Sequence, residues 1–165
     1  MGAVIASTAA PSTALADTAV AADLDYAAPV KVDGVSSGWG FGFRLGSQMR
    51  APLVSVTPEL GFTYHTFGGD ASTKVYRGIG GLRLGVGEVI RPGVFAHAGY
   101  GWRKVDFAAQ SDTASSFTYD LGAFLDFTLL PLLNIGVHAA YNQWTGGSQP
   151  SFQFATAGVH GALIF

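Results

Sequence analysis

The sequence predicts an all-β chain, an eight-stranded antiparallel up-and-down transmembrane β-barrel. Three observations predict it. Segment after segment alternates apolar residues with small or polar ones at period two, the pattern of a strand with one lipid-facing and one inward face. The 165 residues are 48% hydrophobic and only 12% charged, yet no run reaches the roughly 18 apolar residues that a spanning helix needs. Apolar surface spread over short strands enters lipid without unpaired backbone groups only as a closed sheet. Finally, residues 155–165 read as a closing strand with Ala157, Val159, Leu163 and Phe165 on one face, ending on the aromatic.

The N-terminus stands apart. Residues 1–16 are small, apolar and uncharged, and Ala14-Leu15-Ala16 fits the cleavage pattern of a secretory signal. A positive n-region is missing, since the first basic residue is Lys31, and Pro11 interrupts the apolar stretch. Residues 1–19 are therefore read as a truncated signal peptide, with a disordered leader as the alternative, and residues 20–165 as one barrel domain.

Gly, Pro, Asp and Ser clusters bound eight strands near residues 20–28, 37–48, 53–67, 73–87, 92–105, 116–129, 133–144 and 152–165. The first has the faintest alternation. In the second, Trp39, Phe41, Phe43 and Leu45 oppose Gly40, Gly42, Arg44 and Gly46. The third sets Leu60, Phe62 and Tyr64 against Glu59, Gly61, Thr63 and His65. The fourth turns Leu82, Leu84 and Val86 outward and Arg83 inward. The fifth exposes Val94, Ala96, Ala98, Tyr100 and Trp102, with His97 and Arg103 inside. Phe117, Tyr119, Leu121, Leu125 and Phe127 face out from the sixth strand, and Leu133, Ile135, Val137 and Tyr141 from the seventh.

Connection lengths orient the barrel. Residues 49–52, 88–91 and 130–132 read as tight turns, whereas 29–36, 68–72, 106–115 and 145–151 are longer and more polar. Outer-membrane barrels carry short periplasmic turns and longer external loops, which places both termini in the periplasm. Aromatics agree. Trp39, Tyr64, Tyr76, Tyr100, Trp102, Tyr119 and Tyr141, with Tyr26, have outward parity on the loop side, the position of an outer interface girdle, while Phe127 and Phe165 mark the other rim. A soluble β-barrel with so apolar an exterior would aggregate.

Gly38-Trp39-Gly40-Phe41-Gly42-Phe43-Arg44-Leu45-Gly46, Pro58-Glu59-Leu60-Gly61-Phe62-Thr63-Tyr64 and Val159-His160-Gly161-Ala162-Leu163-Ile164-Phe165 resemble the OmpA-like and OmpX-like eight-stranded outer-membrane barrels. The likeness spans about residues 20–165 as a pattern of strands. It implies a monomer in the outer membrane of a Gram-negative bacterium, with outer-membrane lipid as its surroundings and barrel-assembly machinery recognising the strand that ends in Phe165.

Eight strands enclose a lumen only wide enough for side chains. The expected interior carries a charge cluster of Asp23, Arg44, Glu59, Arg83, Asp120 and Asp126, together with Arg77, Arg103, Thr63 and His65. Folding about Ala51-Pro52 sets Arg44 across from Glu59, with Asp23 and Arg83 in reach. Such buried charges need partners, so the cluster reads as salt bridges that hold barrel shape and plug the lumen. His138 and His160 approach each other if the last loop centres on Gln149, with His97 at a similar depth. Three converging imidazoles suit zinc, but neither a cysteine nor a nearby carboxylate completes a recognisable ligand spacing, so polar lumen fillers are expected and neither metal nor cofactor.

Other motifs fail on context. Gly34-Val35-Ser36-Ser37-Gly38 matches a nucleophile elbow, but a strand follows where a helix is required. Gly78-Ile79-Gly80-Gly81 and Gly85-Val86-Gly87 lack the helix and the Lys of a phosphate loop. Net charge of −2 argues against nucleic acid. The expected role is structural or surface-interacting and not enzymatic. A narrow pore for a very small solute or ion is the alternative, and a lipid-modifying enzyme using His65 and Ser72 the second.

Overall fold

A computed structural model describes residues 16–107, 110–145 and 151–165. These form eight strands in one closed barrel, with every neighbouring pair antiparallel and in chain order. The strands are β1 (Ala16–Pro29), β2 (Val35–Ala51), β3 (Val54–Gly69), β4 (Ser72–Val86), β5 (Ile90–Phe107), β6 (Gln110–Leu130), β7 (Leu133–Trp144) and β8 (Phe152–Ile164). No helix among the described residues is long and apolar enough to cross a membrane.

Closure is made by the first and last strands. β1 pairs with β8 from Ala19↔Ile164 to Pro29↔Phe154, and Thr18 and Phe165 exchange both backbone hydrogen bonds at 2.7 and 2.9 Å. The expected leader boundary shifts accordingly. β1 begins at Ala16, paired with Met49, so residues 16–19 belong to the sheet. The rest of the expected leader lies outside the described residues, as does most of the 145–151 loop.

Tight connections at 52–53, 87–89 and 131–132 occupy the end where Ala16 and Phe165 lie. Gly87 permits one of them, with φ at 111° where a side chain would be strained. At the other end the expected long loops are only partly found. Residues 30–34 form a loop and residues 146–150 lie outside the described residues, but 68–72 shrinks to a turn at 70–71. Of the polar segment 106–115, residues 106–107 and 110–115 are strand, since β5 and β6 stay in register from Arg103↔Ala114 to Phe107↔Gln110. Ser111, Asp112, Thr113 and Ser115 are exposed strand residues, not loop.

The β2–β3 register differs by two residues from the expected one. The turn sits at 52–53, so Arg44 faces Gly61 and Glu59 faces Gly46. Parity is unchanged, because a shift of two keeps each side chain on its own face.

The outer face is apolar along its length. Leu24, Phe43, Leu45, Leu60, Leu82, Val94, Leu121, Val137, Val159 and Leu163 are all exposed, Leu60 to 70%. Inside, the end bearing 30–34 and 145–151 is filled by a buried apolar cluster of Ala27, Phe67, Val75, Trp144, Phe152 and Phe154. Phe67 meets Phe152 and Phe154 with ring centroids 5.4 and 5.3 Å apart. The remainder of the interior is mainly polar and charged, with Ile79, Phe95, Phe124 and Ile164 buried among those groups.

Candidate functional site

Small inward residues make room for the large polar ones. Gly40 lies against the His65 ring, where an added Cβ would stand 2.2 Å from Cδ2, and Gly136 leaves space beneath Asp126 and His160. Glycines on the inward face thus leave space that lets long side chains cross the lumen instead of lying along one wall.

Two hydrogen-bonded chains fill that lumen. In the first, Arg44 donates from Nη2 and Nε to Asp23 at 2.7 and 2.9 Å and from Nη1 to Glu59 at 2.9 Å. Glu59 accepts from His97 Nε2 at 2.8 Å, and His97 Nδ1 meets Asp120 at 2.7 Å. Asp120 then accepts from Arg77 at 2.9 Å, whose Nε donates to Thr63. In the second chain, Asp25 links His65 at 3.2 Å to His138 at 2.6 Å. The Nδ1 atoms of His138 and His160 are 3.2 Å apart, and His160 Nε2 meets Asp126 at 2.7 Å. Asp126 also accepts from Arg83 at 3.4 Å.

Asp23, Arg44 and Glu59 therefore come together as the sequence suggested. Arg83 differs. It bonds Asp126 instead of Glu59 and lies over the Phe124 ring at 3.8 Å and the Phe95 ring at 5.5 Å, because those aromatics stand in its path. The histidines also divide: His138 and His160 meet, whereas both nitrogens of His97 are held by Glu59 and Asp120. The three imidazoles do not converge.

Sequence reasoning missed three groups. Asp25 is buried and joins two histidines, although its parity matches that of Asp23. Arg91 is buried and donates to Thr128 at 3.3 Å. The inward aromatics Phe67, Phe95, Phe124, Phe152, Phe154 and Trp144 are also marked by parity, but an aromatic in an outer-membrane strand suggests the lipid face first.

The outward aromatics fall in neighbouring register positions. Tyr26 pairs with Trp39, Phe41 with Tyr64, Tyr64 with Tyr76 and Tyr76 with Trp102. In three of these pairs the rings touch, Tyr64 to Tyr76 at 4.9 Å, Phe41 to Tyr64 at 5.3 Å and Tyr26 to Trp39 at 5.5 Å. Tyr100 packs on Trp102, while Tyr141, 39% exposed, lies on the same face across from Leu121. Tyr119 and Phe127 are half-buried on the outside, and Phe165 is exposed beyond the last pair of β8. His65 and Ser72 form no site: His65 is 1% exposed inside the barrel, and Ser72 is exposed at the start of β4.

An apolar exterior around a polar, hydrogen-bonded interior, closed without a free sheet edge, defines an integral membrane β-barrel. The chain belongs to the outer membrane protein beta-barrel domain family, whose sequence profile matches residues 1–161, and so to the bacterial outer membrane. Solved structures agree in fold. Neisserial surface protein A superposes with a TM-score of 0.71 at 14% identity, covering 90% of this chain and 97% of that one. Ail, the attachment invasion locus protein of Yersinia pestis, gives 0.63 at 19% identity, with 91% and 99% covered. The outer membrane enzyme PagL gives 0.50 at 17% identity, with 86% and 98% covered. No curated protein matches the chain.

Proposed function

We propose that this protein is a monomeric, non-catalytic barrel with a structural or surface-interaction role, whose lumen is plugged by its own side chains. The observation that carries this reading is the layer formed by Arg44 and Arg83. Both residues line two interior cavities of about 40 and 30 Å³ and stand between them. A water needs about 10–15 Å³ of such space, so each cavity admits only a few. Any solute would have to displace guanidinium groups locked in ion pairs and then the Phe67, Trp144, Phe152 and Phe154 cluster.

The aromatic band supports an outer lipid interface at the level of Tyr64, Tyr76 and Trp102, with the termini in the periplasm. Beyond that band β5 and β6 continue through five residue pairs, Arg103↔Ala114 to Phe107↔Gln110, or about 17 Å of strand. This extension is the surface available to a partner. Phe165, exposed at the closing strand, is the feature that assembly machinery would read. PagL is an enzyme on a similar fold, but fold alone does not transfer chemistry, and no pairing of His65 with Ser72 supports that here.

Planar-bilayer recording of the refolded barrel tests the proposal. The expected result is a quiet membrane at protein levels that insert efficiently. Uniform single-channel steps from the wild-type barrel would replace the plugged reading with the narrow-pore one.

A further inference from the structure

The contact between His138 and His160 poses a problem of protons. His138 Nε2 lies 2.6 Å from Asp25 Oδ1, and His160 Nε2 lies 2.7 Å from Asp126 Oδ1. Each carboxylate only accepts, so each imidazole carries its proton on Nε2. Arg83 Nη2, 3.1 Å from the same His160 nitrogen, is held alongside by its own bond to Asp126 Oδ1. The remaining lone pairs, on the two Nδ1 atoms, then face each other at 3.2 Å. Two lone pairs repel at that distance unless a cation stands between them.

Three further observations choose the cation. Ligands held about 2.0–2.1 Å from a tetrahedral metal ion stand roughly 3.3 Å apart, close to the observed separation. An imidazole whose second nitrogen donates to a carboxylate is the usual support of a metal-bound histidine, fixing both tautomer and ring orientation. Here Asp25 and Asp126 give that support to both rings. A carboxylate oxygen of Asp23 completes the group: Asp23, His138 and His160 each offer one ligand atom within 4.8 Å of the other two. Asp23 is oriented by the Arg44 fork, which leaves each of its oxygens a free lone pair. The ligands come from β1, β7 and β8, so the site bridges the closure of the barrel.

We infer that Asp23, His138 and His160 form a binding site for a divalent transition-metal ion of the zinc class, set inside the barrel and carried by the two facing Nδ1 atoms. The donor set of two imidazoles and one carboxylate favours zinc or copper over calcium or magnesium. Water in the adjoining 40 Å³ cavity, which His138 and Asp23 line, supplies the fourth position. The rival occupant is a single proton shared by the two rings.

The test refolds the untagged full-length chain into detergent in the presence of Zn²⁺, so that the ion enters before the barrel closes, then dialyses and measures retained metal. Folding is verified by gel mobility without boiling. The expected result is about one zinc per folded chain, lost at least tenfold in His138→Gln and His160→Gln and kept in His97→Gln, whose ring faces no second imidazole. With Cu²⁺ in place of zinc, electron paramagnetic resonance of the wild type is expected to show coupling to two imidazole nitrogens. The chain has only four histidines, and this readout stands even if a variant fails to fold. A folded wild type that retains no zinc would overturn the site in favour of the shared proton. So would retention unchanged in the His138 and His160 variants, or copper coupled to fewer than two imidazoles.

Discussion

Arg44 grips Asp23 through two parallel hydrogen bonds, at 2.7 and 2.9 Å, while its third nitrogen holds Glu59. One guanidinium thus fastens β1, β2 and β3 together from inside, with its side chain 7% exposed. Replacing it by an uncharged chain of similar length strands two buried carboxylates. Arg44→Met is expected to cost about 3–5 kcal/mol, read from urea unfolding of the barrel in detergent. Because the group is shielded from solvent, the loss should change little with added salt. A loss below about 1 kcal/mol would place the pair among exposed ion pairs.

The three tryptophans report the two faces separately. Trp39 and Trp102 are 61% and 47% exposed on the outside, and Trp144 is fully buried within. In vesicles of lipid brominated on the acyl chains, Trp39 and Trp102 are expected to be quenched and Trp144 spared, as measured on variants keeping one tryptophan each. Quenching of Trp144 to the same degree would contradict the inward aromatic cluster.

The apolar exterior makes a graded expectation. Leu60, 70% exposed, lies between Leu45 and Gly80 on the outer face. Leu60→Arg should destabilise the barrel in lipid by about 2–4 kcal/mol, whereas an arginine in the aromatic band, as in Tyr26→Arg, should carry a charge penalty of about 0–1 kcal/mol. Reversible unfolding in vesicles measures both. Equal costs would remove the depth dependence on which the membrane placement rests.

Gly122 faces Phe95 across the β5–β6 pair. A Cβ there would stand 2.2 Å from Phe95 Cζ and 2.6 Å from the Ala139 carbonyl oxygen. Gly122→Ala is expected to cost about 1–3 kcal/mol through overpacking. Adding Phe95→Leu should recover only part, since the carbonyl contact persists. The comparison is made by unfolding midpoint at constant denaturant slope.

Period-two alternation made the strands and their inward sets legible, down to Arg44, His97 and His160. Pairing across a turn was less legible. Placing the turn at Ala51-Pro52 instead of 52–53 moved Arg44 by two residues along its partner, yet Glu59 stayed within reach because a guanidinium spans that distance. Contacts across the lumen were not legible at all. Arg77 meets Asp120 and Asp25 meets His138 through sequence separations of 43 and 113 residues, which depend on how the sheet curls and shears, not on local pattern. Polarity misled around residues 111–115, where exposed strand has the composition of a loop. Aromatics misled in the interior, where Phe95, Phe124 and Phe154 lie beside arginines instead of lipid.

Thr18 and Phe165 meet in the last rung of the β1–β8 pairing, and they are almost the whole described chain apart. Every other pair of strands is joined by a short connection, so each hairpin forms on local contacts with little entropy to lose. The β1–β8 pairing alone gains nothing until all eight strands stand side by side. A partly assembled sheet would present two unpaired edges to hydrocarbon, which tolerates neither. Insertion and completion of the sheet are thereby a single event, and its rate is set by the slowest encounter in the molecule, that of its two most distant strands.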